Sequence, residues 1–426
     1  MTELHPARRS SRSRLIAVLA IVFVPPALDA GDIWPAFRGP TADGHADDTG
    51  LPVTWSESEN IVWKTPIHGL GWSCPSIGGD RIWVTTATED GTELSYLVLD
   101  RDSGEVLRDQ VLFTVAQPRF RHKFNSYASP TPFLEPGRAY LSWGGYGLAC
   151  LDSGTHEVQW VRRDLECDDY RGPGASPVIY GDTLYSIYDG FDYQFVIALD
   201  KHTGDTIWRT ERPTDFHTDN GDVKKAYATP IVIEAAGRRQ LICPTSKGAF
   251  SYDAGTGDEV WRINYSGFSG SCRPLYEQGR VILTAGFNAA EVFSIDPSGR
   301  GDVTDTHIVW RSTKSIPSKP SPLFIDGLLY LFEDKGIATC LDAATGEQIW
   351  RERLGGNYTA SPVYADGHIY VFNEEGDATV LKPGREPDIV ARNKLDDGCL
   401  ASPAVADGAL FVRTRTHLFR IDEIGK

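Results

Sequence analysis

Along most of the chain, short runs of alternating apolar and polar residues are separated by Gly, Asp and Pro. Gly181 to Tyr188 and Gly367 to Phe372 are clear examples. A period of two puts one side of each run against a core, so these are β-strands. The runs also repeat. A small residue or Thr followed by Pro recurs as Ser129-Pro130, Ser176-Pro177, Thr229-Pro230, Ser321-Pro322, Ser361-Pro362 and Ser402-Pro403. Ser73-Cys74-Pro75 and Arg273-Pro274 are variants. The eight prolines lie 40 to 55 residues apart, a spacing that fits one four-stranded propeller blade each.

Behind each proline comes a strand and then Leu-Asp-x-x-Thr-Gly-x-x-x-Trp, in more or less complete form. The best copies are Asp200, Gly204, Trp208; Asp253, Gly257, Trp261; and Asp342, Gly346, Trp350. Asp152 and Trp160 keep the spacing without the glycine. Asp100 to Gly104 and Asp296 to Gly299 are degraded copies. The Asp side chain accepts from backbone N–H groups two or three residues on and fixes a turn. The glycine takes the positive φ which that turn needs. The tryptophan falls on the next, outer strand, where its indole packs on a neighbouring blade and finds a backbone acceptor. An Asp that recurs at one place in each repeat is scaffold rather than an acid or a metal ligand. The expected fold is therefore all-β: an eight-bladed propeller of four-stranded antiparallel blades over residues 59–426.

The eighth blade begins at Pro403 and runs out near Ile421, after only three strands. Asn60 to Ile67, centred on Trp63, reads like the tryptophan-bearing outer strands elsewhere. Pairing it with the last blade closes the ring and hides both edges. Residues 31–58 are too rich in Gly, Pro and Asp for a strand and are expected to form an ordered extension on the propeller.

The N-terminus departs from this pattern. Arg8, Arg9, Arg12 and Arg14 precede an apolar run from Leu15 to Val24, broken by Pro25 and Pro26, with Ala30 before Gly31. That is the layout of a secretory signal, residues 1–30, and the run is about half of what a bilayer span needs. An uncleaved anchor is the competing reading. No cysteine follows closely enough for a lipoprotein signal, and the residues around Arg8-Arg9 give little support for twin-arginine export. The expected location is the periplasm or an equivalent envelope compartment, with no transmembrane anchor in the mature chain.

The formal charge of −16 disfavours nucleic acid as a partner. Eleven tryptophans and one methionine suit a large β core. Seven cysteines lack any zinc-like spacing, and the odd number leaves at least one outside an internal pair. Cys150 and Cys340 occupy equivalent places in different blades, held by Ala198 and Ser251 elsewhere. They are read as packing residues.

The element at 198–208 is similar to the tryptophan docking motif of PQQ-repeat propellers, a family that includes quinoprotein alcohol dehydrogenases and BamB-type scaffolds. The similarity covers residues 60 to 422. Trp34 to Pro40, Leu51 to Trp55, Trp63 to Pro66, Phe124 to Pro130 and Asn393 to Gly398 resemble exported PQQ-like propellers of planctomycete-type bacteria. The resemblance implies two functions. One is a quinoprotein dehydrogenase oxidising an alcohol or sugar, with PQQ, calcium, an Asp base and a disulfide between adjacent cysteines. No Cys-Cys pair exists here, and neither a covering insertion nor a c-type haem motif is present. The other, preferred, is a monomeric, non-catalytic binding scaffold in the envelope, without an assigned cofactor or metal, engaging a protein or a small anionic ligand.

The densest candidate site for such binding is Arg119 to Asn125. Arg121, His122, Lys123 and Asn125 enter the second blade there, and Arg171, Lys224, Lys225, Arg273 and Lys319 precede inner strands of other blades. Together they are expected to form a positive ring at one channel mouth. The competing reading is that they form salt bridges to nearby acids. His122 is the best residue for acid–base work, but no partner can be assigned to it, and no catalytic residue is named.

Overall fold

The computed structural model describes residues 1–2, 33–212, 214–287 and 289–423. Apart from Met1 and Thr2, the leader read at residues 1–30 lies outside them. No helix among the described residues is long and apolar enough to cross a membrane. Eight antiparallel sheets form the eight blades of a propeller. Blade one runs, from the channel outwards, through Ser76–Gly78, Arg81–Ala87, Glu93–Asp100 and Val106–Thr114. Blade eight takes its inner three strands from Ala404–Ala406, Ala409–Arg413 and His417–Ile421. Its outer strand is Ile61–Pro66, paired antiparallel with His417–Ile421, so the two ends of the chain close the ring.

The repeated turn sets how blades join. The Asp200 carboxylate accepts from the N–H groups of His202 and Thr203, and Gly204 has φ +76°. Opposite most of the outer-strand tryptophans stands a small residue: Cys150 faces Trp160, Ala198 faces Trp208, Ser251 faces Trp261 and Cys340 faces Trp350, whereas Trp63 faces Arg420. Each indole then reaches the turn of the next blade. The Nε1–H of Trp63 donates to the Arg101 carbonyl at 3.0 Å, Trp160 to Lys201 at 2.9 Å, Trp208 to Ala254 at 3.1 Å and Trp310 to Ala343 at 3.0 Å. The glycine of that turn lies against the ring. A Cβ on Gly104, Gly204, Gly257 or Gly346 would come within 2.5–2.8 Å of the indole. Thus the glycine supplies both backbone freedom and room for its neighbour's tryptophan.

Trp261 differs. Its indole donates to Gln240 Oε1 at 2.7 Å, and Gln240 Nε2 passes the contact on to the Pro297 carbonyl at 3.0 Å. A short strand, Gly301–Asp302, also pairs parallel with this outer strand, which makes blade four five-stranded. The degraded turn at Asp296 is therefore reached through a side-chain relay.

Around the channel, the residue before six of the eight inner-strand prolines links neighbouring blades through its backbone N–H. The backbone N–H groups of Cys74, Thr131, Ser176, Arg273, Ser321 and Ser361 donate, respectively, to the hydroxyls of Thr131, Ser176, Thr229, Ser321, Ser361 and Ser402. This corrects one member of the repeat. Blade two is represented by Thr131-Pro132, whereas Ser129-Pro130 lies two residues earlier, in the loop. The stretch Ser129-Pro130-Thr131-Pro132 matches the pattern twice, and only the ring of hydrogen bonds selects the second match.

Strand alternation gives the propeller two unlike faces. Connections from outer to inner strands and the turns between second and third strands share one, called here the loop face. The remaining turns share the other. Residues 33–58 enter from that other face and reach into the channel. Trp34 exchanges backbone hydrogen bonds with Ile77 of blade one, at 2.9 and 2.8 Å. Gly44 and Ala46 pair with Tyr364 of blade seven, and the His45 ring contacts the Phe324 carbonyl at 2.8 Å. Trp34 and Arg38 are buried. The extension thereby covers inner-strand edges that the propeller leaves open.

Candidate functional site

With one end of the channel filled by the extension, the loop face is the side left for binding. The connection from blade one to blade two carries Arg121, His122, Lys123 and Asn125. Arg121 is folded back on its own loop, donating to the Asn125 carbonyl at 2.7 Å and lying over the Tyr127 ring. Asn125 ties the loop to the next one through the Pro173 carbonyl at 3.1 Å. His122 is partly buried. Burial, then Arg171 and Lys123, hold it below the ordinary histidine range, so it is neutral at pH 7. Its Nδ1 accepts from the Phe124 N–H at 3.3 Å. Lys123 is exposed beside Phe124.

The remaining candidates are mostly engaged with acids. Arg171 pairs with Asp222. Lys224 sits 3.9 Å from Asp219, and Lys319 pairs with Glu374 at 2.8 Å. Lys225 is buried and bonded to Asp169 at 3.0 Å. Burial pulls its ammonium down, but the groups around it, Asp169 foremost, together outweigh this and hold it above the ordinary lysine value. Arg273 does not join the mouth. It is buried and directed into the channel, where it donates to the Phe37 carbonyl of the extension. The expected positive ring is thus largely neutralised, and Arg121 and Lys123 form its cationic remainder, with the neutral His122 between them.

The loop face has a second component that charge patterning did not single out. Phe120, Phe124, Phe191, Tyr193 and Phe287 are exposed on it, at 60, 65, 37, 52 and 56%. Phe120 contacts Tyr170 at 6.0 Å between ring centres, and Tyr170 contacts Phe191 at 5.8 Å. Lys224 lies over Phe191 and Arg171 over Tyr170. An open groove beside them is lined by Phe191, Gln194, Phe216, His217 and Lys224. The available signal was aromatic residues inside loop-like stretches, where no strand period demands them.

Beneath this face lies a buried polar layer. Arg212 pairs with Asp189, both almost fully buried, and Lys225 pairs with Asp169. Between these groups is a water-sized cavity lined by Ser142, Ser186 and Tyr188. The seven cysteines are separate buried thiols, and burial pushes Cys243, Cys272 and Cys399 up to about 12. A calcium-bound quinone needs converging oxygen ligands. Among the described residues no three His, Cys, Asp or Glu side chains converge to hold a metal ion.

Fold and repeat define an eight-bladed propeller of the PQQ-like class. The family model described as outer membrane protein assembly factor BamB matches residues 52–298 and 300–385, and the chain belongs to that family. A search of curated protein sequences finds no match. BamB from Moraxella catarrhalis is 15% identical with a TM-score of 0.60, over 84% of this chain and 99% of that one. A europium-containing methanol dehydrogenase is 11% identical with a TM-score of 0.65, over 90% and 89%. Quinohemoprotein alcohol dehydrogenase from Comamonas testosteroni is 11% identical with a TM-score of 0.66, over 93% and 81%. At these identities the likeness is one of fold.

Proposed function

We propose that this chain is a non-catalytic scaffold of the cell envelope that engages a protein partner through its loop face. The observation carrying this reading is the concentration of exposed aromatic side chains there, with cations beside them. An apolar patch with a polar rim is the usual mark of a protein-binding surface, and aromatics and Arg are enriched in such surfaces. The description of the family as a membrane protein assembly factor supports the same class of partner. A small anionic ligand is less well supported, because Arg171, Lys225 and Lys319 already have carboxylate partners.

The test is site-specific photocrosslinking in the source envelope, with the probe at Phe120, at Phe191, or at exposed Val309 on an outer strand. A discrete protein adduct from the first two positions and none from the third is the expected result. Equal adducts from all three, or none, would overturn the assignment of the loop face. Separately, titration of the purified protein with PQQ and calcium is expected to give no saturable change. Binding together with dye-linked alcohol oxidation would replace the scaffold reading by a dehydrogenase.

A further inference from the structure

Two arginines in the channel carry an unanswered charge. Arg38, from the extension, is 2% exposed, and Arg273, from blade five, is 4% exposed. Neither forms an ion pair with a carboxylate among the described residues. Their terminal nitrogens meet backbone carbonyls instead. Arg38 reaches Pro362 and Asp43, and also Pro322 at 2.7 Å, while Arg273 reaches Phe37, the residue next to Arg38. In both, the buried Nε–H has no acceptor in the protein. Asp43 is the carboxylate both arginines feel, but its Oδ1 already accepts from the Thr41 hydroxyl and the His45 N–H.

Burying one unpaired cation is costly, and burying two side by side costs more. Burial lowers Arg273 to about 9, and the neighbouring Arg38 adds to the shift. An anion between them would offset the charge and take up both orphan donors. In each guanidinium the Nε–H is a buried donor without an acceptor, and in Arg38 both terminal nitrogens are already engaged, which leaves it no open fork. That suits a single-atom acceptor better than a bidentate carboxylate or phosphate.

We infer that the channel holds a small inorganic anion of the halide type, bound between the Nε–H groups of Arg38 and Arg273. The site joins the extension to the far side of the ring, because Arg38 belongs to residues 33–58 and Arg273 to blade five. The anion therefore fastens the extension in the channel. This is independent of any partner on the loop face.

The test uses the purified chain in two ways. Crystals soaked in sodium bromide are expected to give an anomalous peak within hydrogen-bonding reach of both Nε atoms. In solution, chloride or bromide replacing fluoride or gluconate at constant ionic strength is expected to raise Tm. The rise is about 2 °C for a tenfold excess over the dissociation constant. Arg273→Met keeps the side-chain stem, removes the donor and is expected to lose the halide dependence. A chain with no bromide peak at this position and one Tm in all four salts overturns the site. So does a halide effect unchanged in Arg273→Met. If that variant fails to fold, the bromide peak in the unsubstituted chain decides alone.

Discussion

Trp63→Ala tests whether ring closure is a cooperative joint or a loose end. Trp63 is 9% exposed, its indole N–H donates to Arg101 at 3.0 Å, and its ring covers Gly104. A tryptophan side chain buries about 200 Å² of mostly apolar surface, which at about 25 cal/mol per Å² is an upper bound near 5 kcal/mol. The hydrogen bond adds about 1 kcal/mol net. Partial collapse around the gap brings the expected loss to about 3–5 kcal/mol, a large share of a typical domain's stability. Because, among the described residues, Ile61–Pro66 is the only strand contributed by the N-terminal part to blade eight, the loss should weaken the whole ring. Urea unfolding followed by far-UV circular dichroism would report it as a lower midpoint with an unchanged slope. Trp63→Phe retains most of the packing and should lose only about 1–2 kcal/mol. A Trp63→Ala loss under about 1 kcal/mol, or a separate early transition confined to blade eight, would refute the closure argument.

Gly257→Ala places a Cβ 2.5 Å from the Trp208 ring at φ +77°, whereas Gly237→Ala has φ +71° but open space around it. The second should cost about 1–2 kcal/mol of backbone strain, and the first about 1–3 kcal/mol more by chemical denaturation. Lys225→Met leaves Asp169 buried without its cation and should cost about 3–5 kcal/mol, partly recovered in Lys225→Met/Asp169→Asn. The Lys225 pKa is raised, so its stabilisation is complete below its ordinary value and lost as pH rises through the folded one. Tm should therefore fall in strong alkali in the unsubstituted chain, and Lys225→Met should lack that part of the fall. All seven thiols should resist a disulfide reagent in the native state and react after unfolding in denaturant, because they are buried and burial pushes Cys150, Cys243, Cys272, Cys340 and Cys399 up to about 12.

The architecture was legible because it is written locally and then repeated. An Asp that fixes a turn, a Gly with positive φ and a Trp on the next strand each act within about ten residues, and repetition turns that local rule into a ring. Even the missing outer strand could be inferred, since a propeller with an open edge is unfavourable. The candidate site was legible only in its ingredients. Basic residues before inner strands were visible, but which ones are free depends on acids far away in sequence. Lys225 meets Asp169 and Lys319 meets Glu374, both 55 or 56 residues distant, and Arg273 meets Phe37 across 236 residues. The choice between Pro130 and Pro132 was ambiguous for the same reason. So the sequence by itself determined the blade, the number of blades and the strand that closes the ring. Only the tertiary structure decided which cations are neutralised, which face carries the exposed aromatics, and that the extension enters the channel. These depend on where different blades meet, and no local pattern encodes the distance between residues that the chain brings together only after the ring has closed.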